Sequence, residues 1–154
     1  MAIAAAMVLL SGCAQSKEAT MTPHEARDAL VSTIENSAAL LNVTGWNRAH
    51  APEAGNCGAA AGTDVNYTYV YGAPQPGSDH DHHVDAKKIA DYWTSLGMTV
   101  NTVIDPDGDP TVYSTGGPVE GLMFSTAPGN YYFGGTSLCV PGNADELRNE
   151  ESAG

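Results

Sequence analysis

Positive charge is what this sequence has least of. Lys and Arg together number 6 against 18 Asp and Glu, for a formal net charge of -12. A nucleic-acid partner needs a basic stripe that displaces counterions from phosphates, and the adjacent pair Lys87-Lys88 sits between Asp85 and Asp91. Nucleic acid is therefore excluded as a partner. The same field repels anionic headgroups, so no basic face holds the chain on a membrane. Long apolar runs are missing as well: Ala2 to Leu10 is too short to cross a hydrocarbon core of about 30 Å as a helix. Several catalytic signatures are absent, namely the Gly-x-Ser-x-Gly elbow, the Ser-x-x-Lys pair, the His-Glu-x-x-His helix and a Gly-rich phosphate loop. Cysteine is sparse, with 3 in the chain.

What is present suits one folded domain. The 154 residues leave, after a short leader, about the length of a single hydrophobic core. Charged residues are only 16% of the chain while Gly, Ala, Ser, Thr and Asn are plentiful, a usage typical of secreted globular domains.

The apolar run Ala2 to Leu10 has the size of a signal-peptide core and is followed at once by Leu10-Ser11-Gly12-Cys13. These four residues resemble the lipobox of bacterial lipoproteins, and with the Ala- and Gly-rich usage the chain looks like the small lipoproteins of actinobacteria. The resemblance implies a leader over 1–12, cleavage before Cys13, a diacylglycerol on the Cys13 thiol and acylation of the new amine. Two or three acyl chains, at about 0.8 kcal/mol per buried methylene, anchor stably where one is marginal. The leader lacks the Lys or Arg that ordinarily precedes the apolar run, a departure that bears on the start codon rather than on Cys13. Residues 13–21 are polar and aperiodic and are expected to be a flexible tether. The expected location is the outer face of the cell membrane.

With Cys13 taken by lipid, Cys57 and Cys139 remain as an even pair in an oxidising compartment, and a disulfide between them is expected. The competing reading is a Cys57 nucleophile aided by His50, because Asn56-Cys57-Gly58 faintly resembles cysteine hydrolases. No further motif supports it.

Thr22-Pro23-His24-Glu25 predicts a capped helix start, and Ala26, Leu30, Ile34, Ala38 and Leu41 recur at helical spacing over 23–42. Gly45 ends this helix, with Trp46 folding back as a core plug, and 47–62 reads as mostly loop. Residues 64–71 alternate strictly, with Val65, Tyr67, Tyr69 and Tyr71 on one face. A second helix is expected at 82–96, followed by strands at 98–104, 111–115, 119–126 and 131–140 joined by Gly/Pro/Asp turns. The result is an α+β domain over 22–141, in which two helices cover one face of a mostly antiparallel sheet of about five strands. Its order is α-β-α-β-β-β-β, and 142–154 is expected to be an acidic tail.

Residues 79–85, Asp-His-Asp-His-His-Val-Asp, pack three imidazoles and three carboxylates into seven positions. His80, His82, His83 and Asp85 are candidate ligands for zinc, copper or nickel. The plainer reading is a solvated helix N-terminus capped by Asp79 or Asp81, with at most adventitious zinc or copper and no cofactor. Asp105-Pro106-Asp107-Gly108-Asp109 begins like a calcium loop but continues with Pro110 and Gly116 where an EF-hand needs Gly and Glu, which favours a hairpin turn. Tyr67, Tyr69, Tyr71, Tyr113, Tyr131 and Tyr132 either fill the core or line a sugar- or peptide-binding face. The sequence thus leads to a non-enzymatic envelope lipoprotein that binds a protein or cell-wall partner. A metal-binding lipoprotein and a small hydrolase are the alternatives.

Overall fold

The computed structural model describes residues 20–153 apart from 49, 61, 79, 127 and 128. The leader, Cys13, most of the tether and the candidate cap Asp79 lie outside the described residues. Among those described, the chain is α+β with three helices and a mostly antiparallel sheet of eight strands.

The first helix, α1 (Pro23–Ala39), starts where the sequence places it. Thr22 Oγ1 accepts from the Glu25 amide, the Glu25 carboxylate accepts from the Thr22 amide, and Pro23 occupies the first turn where no amide partner is needed. Its face of Ala26, Leu30, Ile34 and Ala38 is buried. Full burial of a side chain such as Leu30 or Ile34 stabilises by roughly 1.5–3 kcal/mol.

The stretch expected to be loop contains two short strands, β1 (Asn47–Arg48) and β2 (Glu53–Asn56). Both pair with one edge of β3 (Asp64–Pro74), which outruns its expected end by three residues. Pro74 is tolerated because β1 pairs only as far as Gly72, so the position without an amide faces no β1 partner. Helix α2 (His82–Ser95) is capped by Asp81, whose carboxylate accepts from the amides of His83 and Val84, and it is followed by Gly97 at φ 80°.

Strands β4 (Thr99–Ile104), β5 (Pro110–Thr115), β6 (Gly121–Ser125) and β7 (Asn130–Thr136) form a meander, and β7 joins β3 to give the order β1-β3-β7-β6-β5-β4. The last expected strand divides in two. The Ser137 hydroxyl accepts from the Tyr67 amide at 2.8 Å and thereby replaces a ladder partner, before β8 (Val140–Pro141) pairs with the start of β3.

The acidic tail is helical: α3 (Ala144–Ala153) is capped by Asn143, whose side chain accepts from the amides of Asp145 and Glu146. Ala144 and Leu147 join the core.

Helices α1 and α2 lie on the same face of the sheet, α1 over β3 and β7 and α2 over β4, β5 and β6. The rings of Phe124 and Phe133 stack between them at 4.6 Å, and Trp46 folds back onto Tyr71 and Phe133 at 5.4 Å each. Among the described residues, no helix lies on the opposite face.

Asn56 and Val140 pair with Val65 from opposite sides of β3, and the next residues outward, Cys57 and Cys139, are joined by a disulfide with 5.9 Å between their Cα atoms. The bond clamps both flanks of β3 and marks an oxidising, extracytoplasmic environment. It also removes the free thiol that a Cys57 nucleophile would need. No helix among the described residues is long and apolar enough to cross a membrane.

Candidate functional site

The His/Asp segment at the start of α2 divides into two linked hydrogen-bond groups. Asp85 is 2% exposed. Its Oδ2 accepts from His80 Nδ1 at 3.0 Å and from the Tyr131 hydroxyl at 3.2 Å, while Oδ1 accepts from Lys88 Nζ at 3.2 Å. Burial by itself pushes the Asp85 pKa up, but these three donors outweigh it and hold the carboxyl below the usual aspartate value. Burial beside that carboxylate pushes the Tyr131 phenol well above its ordinary range.

His82 belongs to the second group. Its Nδ1 lies 2.9 Å from Asp109 Oδ1, at the base of the β4–β5 turn, and its ring meets the Tyr131 ring edge-on at 5.5 Å. Gln75 accepts from the Gly129 amide through Oε1, so its Nε2 faces His82 Nε2 at 3.2 Å. That pattern matches the tautomer protonated on Nδ1, and it occupies both ring nitrogens.

His83 is exposed, and it contributes only its backbone amide to the Asp81 cap. The four candidate ligands therefore separate: His80 with Asp85, His82 with Asp109, and His83 toward solvent. Among the described residues no three His, Cys, Asp or Glu side chains are placed to hold a metal ion. The Asp105 carboxylate likewise accepts from the amides of Asp107 and Asp109, the arrangement of a hairpin turn.

His80 is the member of this cluster with chemistry still available. It lines a cavity of about 460 Å³ between loops 42–45 and 74–77, shared with Thr44 and Gln75. Asp85 behind it fixes the ring, and no hydrogen bond joins Nε2 to a described residue. Sequence reading found His80 and Asp85 but missed Tyr131, Lys88, Gln75 and Asp109. Lys88 was legible, being three residues after Asp85 on a helix. The others come from distant strands and loops and carry no local signal.

The second candidate region is the helix-free face of the sheet. From β7 to β4, and along β3 from Asn66 to Gly72, every outward side chain is uncharged, although the chain carries -12. Val70, Tyr113 and Val103 are 44%, 45% and 47% exposed. Tyr113 and Met123 line a shallow groove of about 500 Å³ in which Gly121 and Gly134 leave the backbone bare. Glu53, Asp64 and Glu120 stand at the rim. The tyrosines expected to choose between core and surface divide between the two: Tyr67, Tyr69 and Tyr131 are buried, whereas Tyr113 and Tyr132 face outward.

No protein-family model, no curated protein and no solved structure matches the chain.

Proposed function

We propose that the chain is a cell-envelope lipoprotein, held on the outer face of the membrane by lipid on Cys13, whose domain binds a protein or cell-wall partner without catalysing a reaction. The observation that carries the binding half is the uncharged open face. An acidic protein that keeps the outward residues of β4 to β7, and of β3 from Asn66 to Gly72, free of charge, and sets Tyr113 and Met123 beside bare glycines there, has the composition of a recognition surface. The anchoring half is supported by Leu10-Ser11-Gly12-Cys13, by the Cys57–Cys139 disulfide and by an acidity that leaves lipid as the means of attachment.

Photo-crosslinking on intact cells tests the binding half. A photoreactive residue at Tyr113 or Val103 is expected to yield adducts, and one at Val84, exposed on α2 across the domain, is not. Equal labelling at all three sites would sink the face assignment. For the anchor, Cys13→Ser is expected to move the chain from the membrane fraction to the soluble one.

A metal-binding alternative draws on the hydrogen bond between His80 and Asp85, because a carboxylate that orients one ring nitrogen prepares the other for a cation. Calorimetric titration with zinc chloride decides it. Binding that His80→Ala abolishes favours this reading, and binding indifferent to that change removes it.

A further inference from the structure

The two edges of the sheet are finished in opposite ways. Along β3 the edge is broken into the two-residue β1 and the four-residue β2, with Pro52 between them and charges at Arg48 and Glu53. Arg48 is tied to Glu35, and Arg148 of α3 donates from Nη1 to the Ala54 carbonyl at 2.8 Å, occupying an acceptor on that edge. Short strands, a proline, charges and a covering helix are the means by which proteins prevent unwanted strand pairing.

The other edge has none of them along its open main chain, although α2 lies over the face of β4. Strand β4 runs unbroken for six residues as Thr-Val-Asn-Thr-Val-Ile, five of them β-branched, without a charge, a proline or a glycine. Strand β5 pairs with it throughout, from Thr99 opposite Thr115 to Ile104 opposite Pro110, on one side only. No side chain among the described residues hydrogen-bonds its main chain, and Val103 and Ile104 remain 47% and 49% exposed. Such a strand is a template for another.

We propose that β4 pairs antiparallel with β4 of a second copy of this chain, joining two sheets into one with both uncharged faces on the same side. Charge fixes where two copies can meet. Two copies at -12 repel over most of their surfaces, and the β4 edge with the open face beside it is where they can touch without opposing like charges.

Direction follows from the turn Asp105–Asp109 at the end of β4. Parallel pairing would set two acidic turns side by side. Antiparallel pairing separates them by the strand's length, about 20 Å at 3.3 Å per residue, beyond twice the screening length of about 8 Å at physiological salt. Register follows from the pleat. Keeping the open faces together requires residues of the same parity to pair. Placing Thr102 on the two-fold axis sets Val100 against Ile104 of the other copy, which covers an exposed isoleucine with an apolar side chain.

The full chain is purified in detergent and examined by sedimentation velocity at rising sodium chloride, with Val103→Lys as the edge-blocking variant and circular dichroism to verify its fold. The expected result is a dimer whose fraction rises with salt as repulsion is screened, and which Val103→Lys loses. Thr102→Cys is expected to give a disulfide-linked dimer on a non-reducing gel of the envelope fraction, several-fold more than Thr115→Cys on β5. A monomer at every salt concentration, a dimer indifferent to Val103→Lys, or equal cross-linking of the two cysteine variants would overturn the proposal. Partner adducts at Tyr113 from a strictly monomeric chain would overturn this pairing while leaving the binding face intact.

Discussion

Trp93 on α2 donates its indole N–H to the Ser37 hydroxyl on α1 at 2.9 Å, and both residues are fully buried. Ser37 in turn donates to the Thr33 carbonyl at 2.7 Å, so one small hydroxyl satisfies the only polar atom of the largest core side chain and holds its own rotamer. Between two helices lying on one sheet face, this is the polar tie. Ser37→Ala leaves a buried N–H without a partner and is expected to cost about 1–3 kcal/mol. Urea unfolding followed by tryptophan fluorescence measures it, and a change within about 0.5 kcal/mol would show that the contact carries no net stability.

The Cys57–Cys139 bond spans a sequence separation of 82 and clamps both flanks of β3 at Val65. Closing a loop of that length restricts the unfolded chain by about 4 kcal/mol. The double variant Cys57→Ser/Cys139→Ser is expected to lose stability of that order in the same urea assay. Thiol labelling of the untreated exported protein is expected to find neither cysteine reactive.

Acid stability depends on Asp85. Its pKa lies lower in the folded chain than in the unfolded one, so it stabilises above the unfolded value of about 3.9, and that contribution is lost as pH falls through the folded value. Asp85→Asn is expected to be less stable than the parent at neutral pH, because His80, Lys88 and Tyr131 lose their acceptor anion. The two stability curves are expected to converge below about pH 4. Curves that stay parallel down to acid would remove Asp85 from the acid transition.

Gly135 and Gly134 are neighbours with opposite tolerances. A Cβ on Gly135 would lie 2.5 Å from Leu122 and 2.8 Å from Leu30, wedged between the sheet and α1, whereas on Gly134 its nearest contact is the Met123 methyl at 3.7 Å. Gly135→Ala is expected to destabilise by about 1–3 kcal/mol through overpacking. Gly134→Ala is expected to fold normally and to reduce partner capture by filling the floor of the groove. Thermal melts separate the first effect, and cross-linking yield at Tyr113 reads the second.

Local chemistry was legible wherever one segment contains the whole signal. The Thr22–Glu25 capping box, the alternation of Val65, Tyr67 and Tyr69 and the Gly97 stop each require only residues close in sequence. Helix α3 was legible too and was missed: Asn143 with Glu146 three residues on is a helix-start signature, obscured by the polar run from Arg148 to Ser152. Strands β1 and β2 were not legible, because strands of two and four residues are defined by the edge of β3 that receives them.

By itself the sequence determined the capped helices, the main alternating strand, the hairpin turns and the identity of the two cysteines that pair. Short-range sterics, amide satisfaction and the arithmetic of three cysteines suffice for these. Only the tertiary structure decided that His80 and His82 take different carboxylates, that the Tyr131 hydroxyl joins the Asp85 group, and which tyrosines face outward. It alone decided that one sheet edge is guarded and the other bare. Those outcomes depend on contacts between residues tens of positions apart, whose geometry exists only once the strands have chosen their neighbours and the helices have chosen a face.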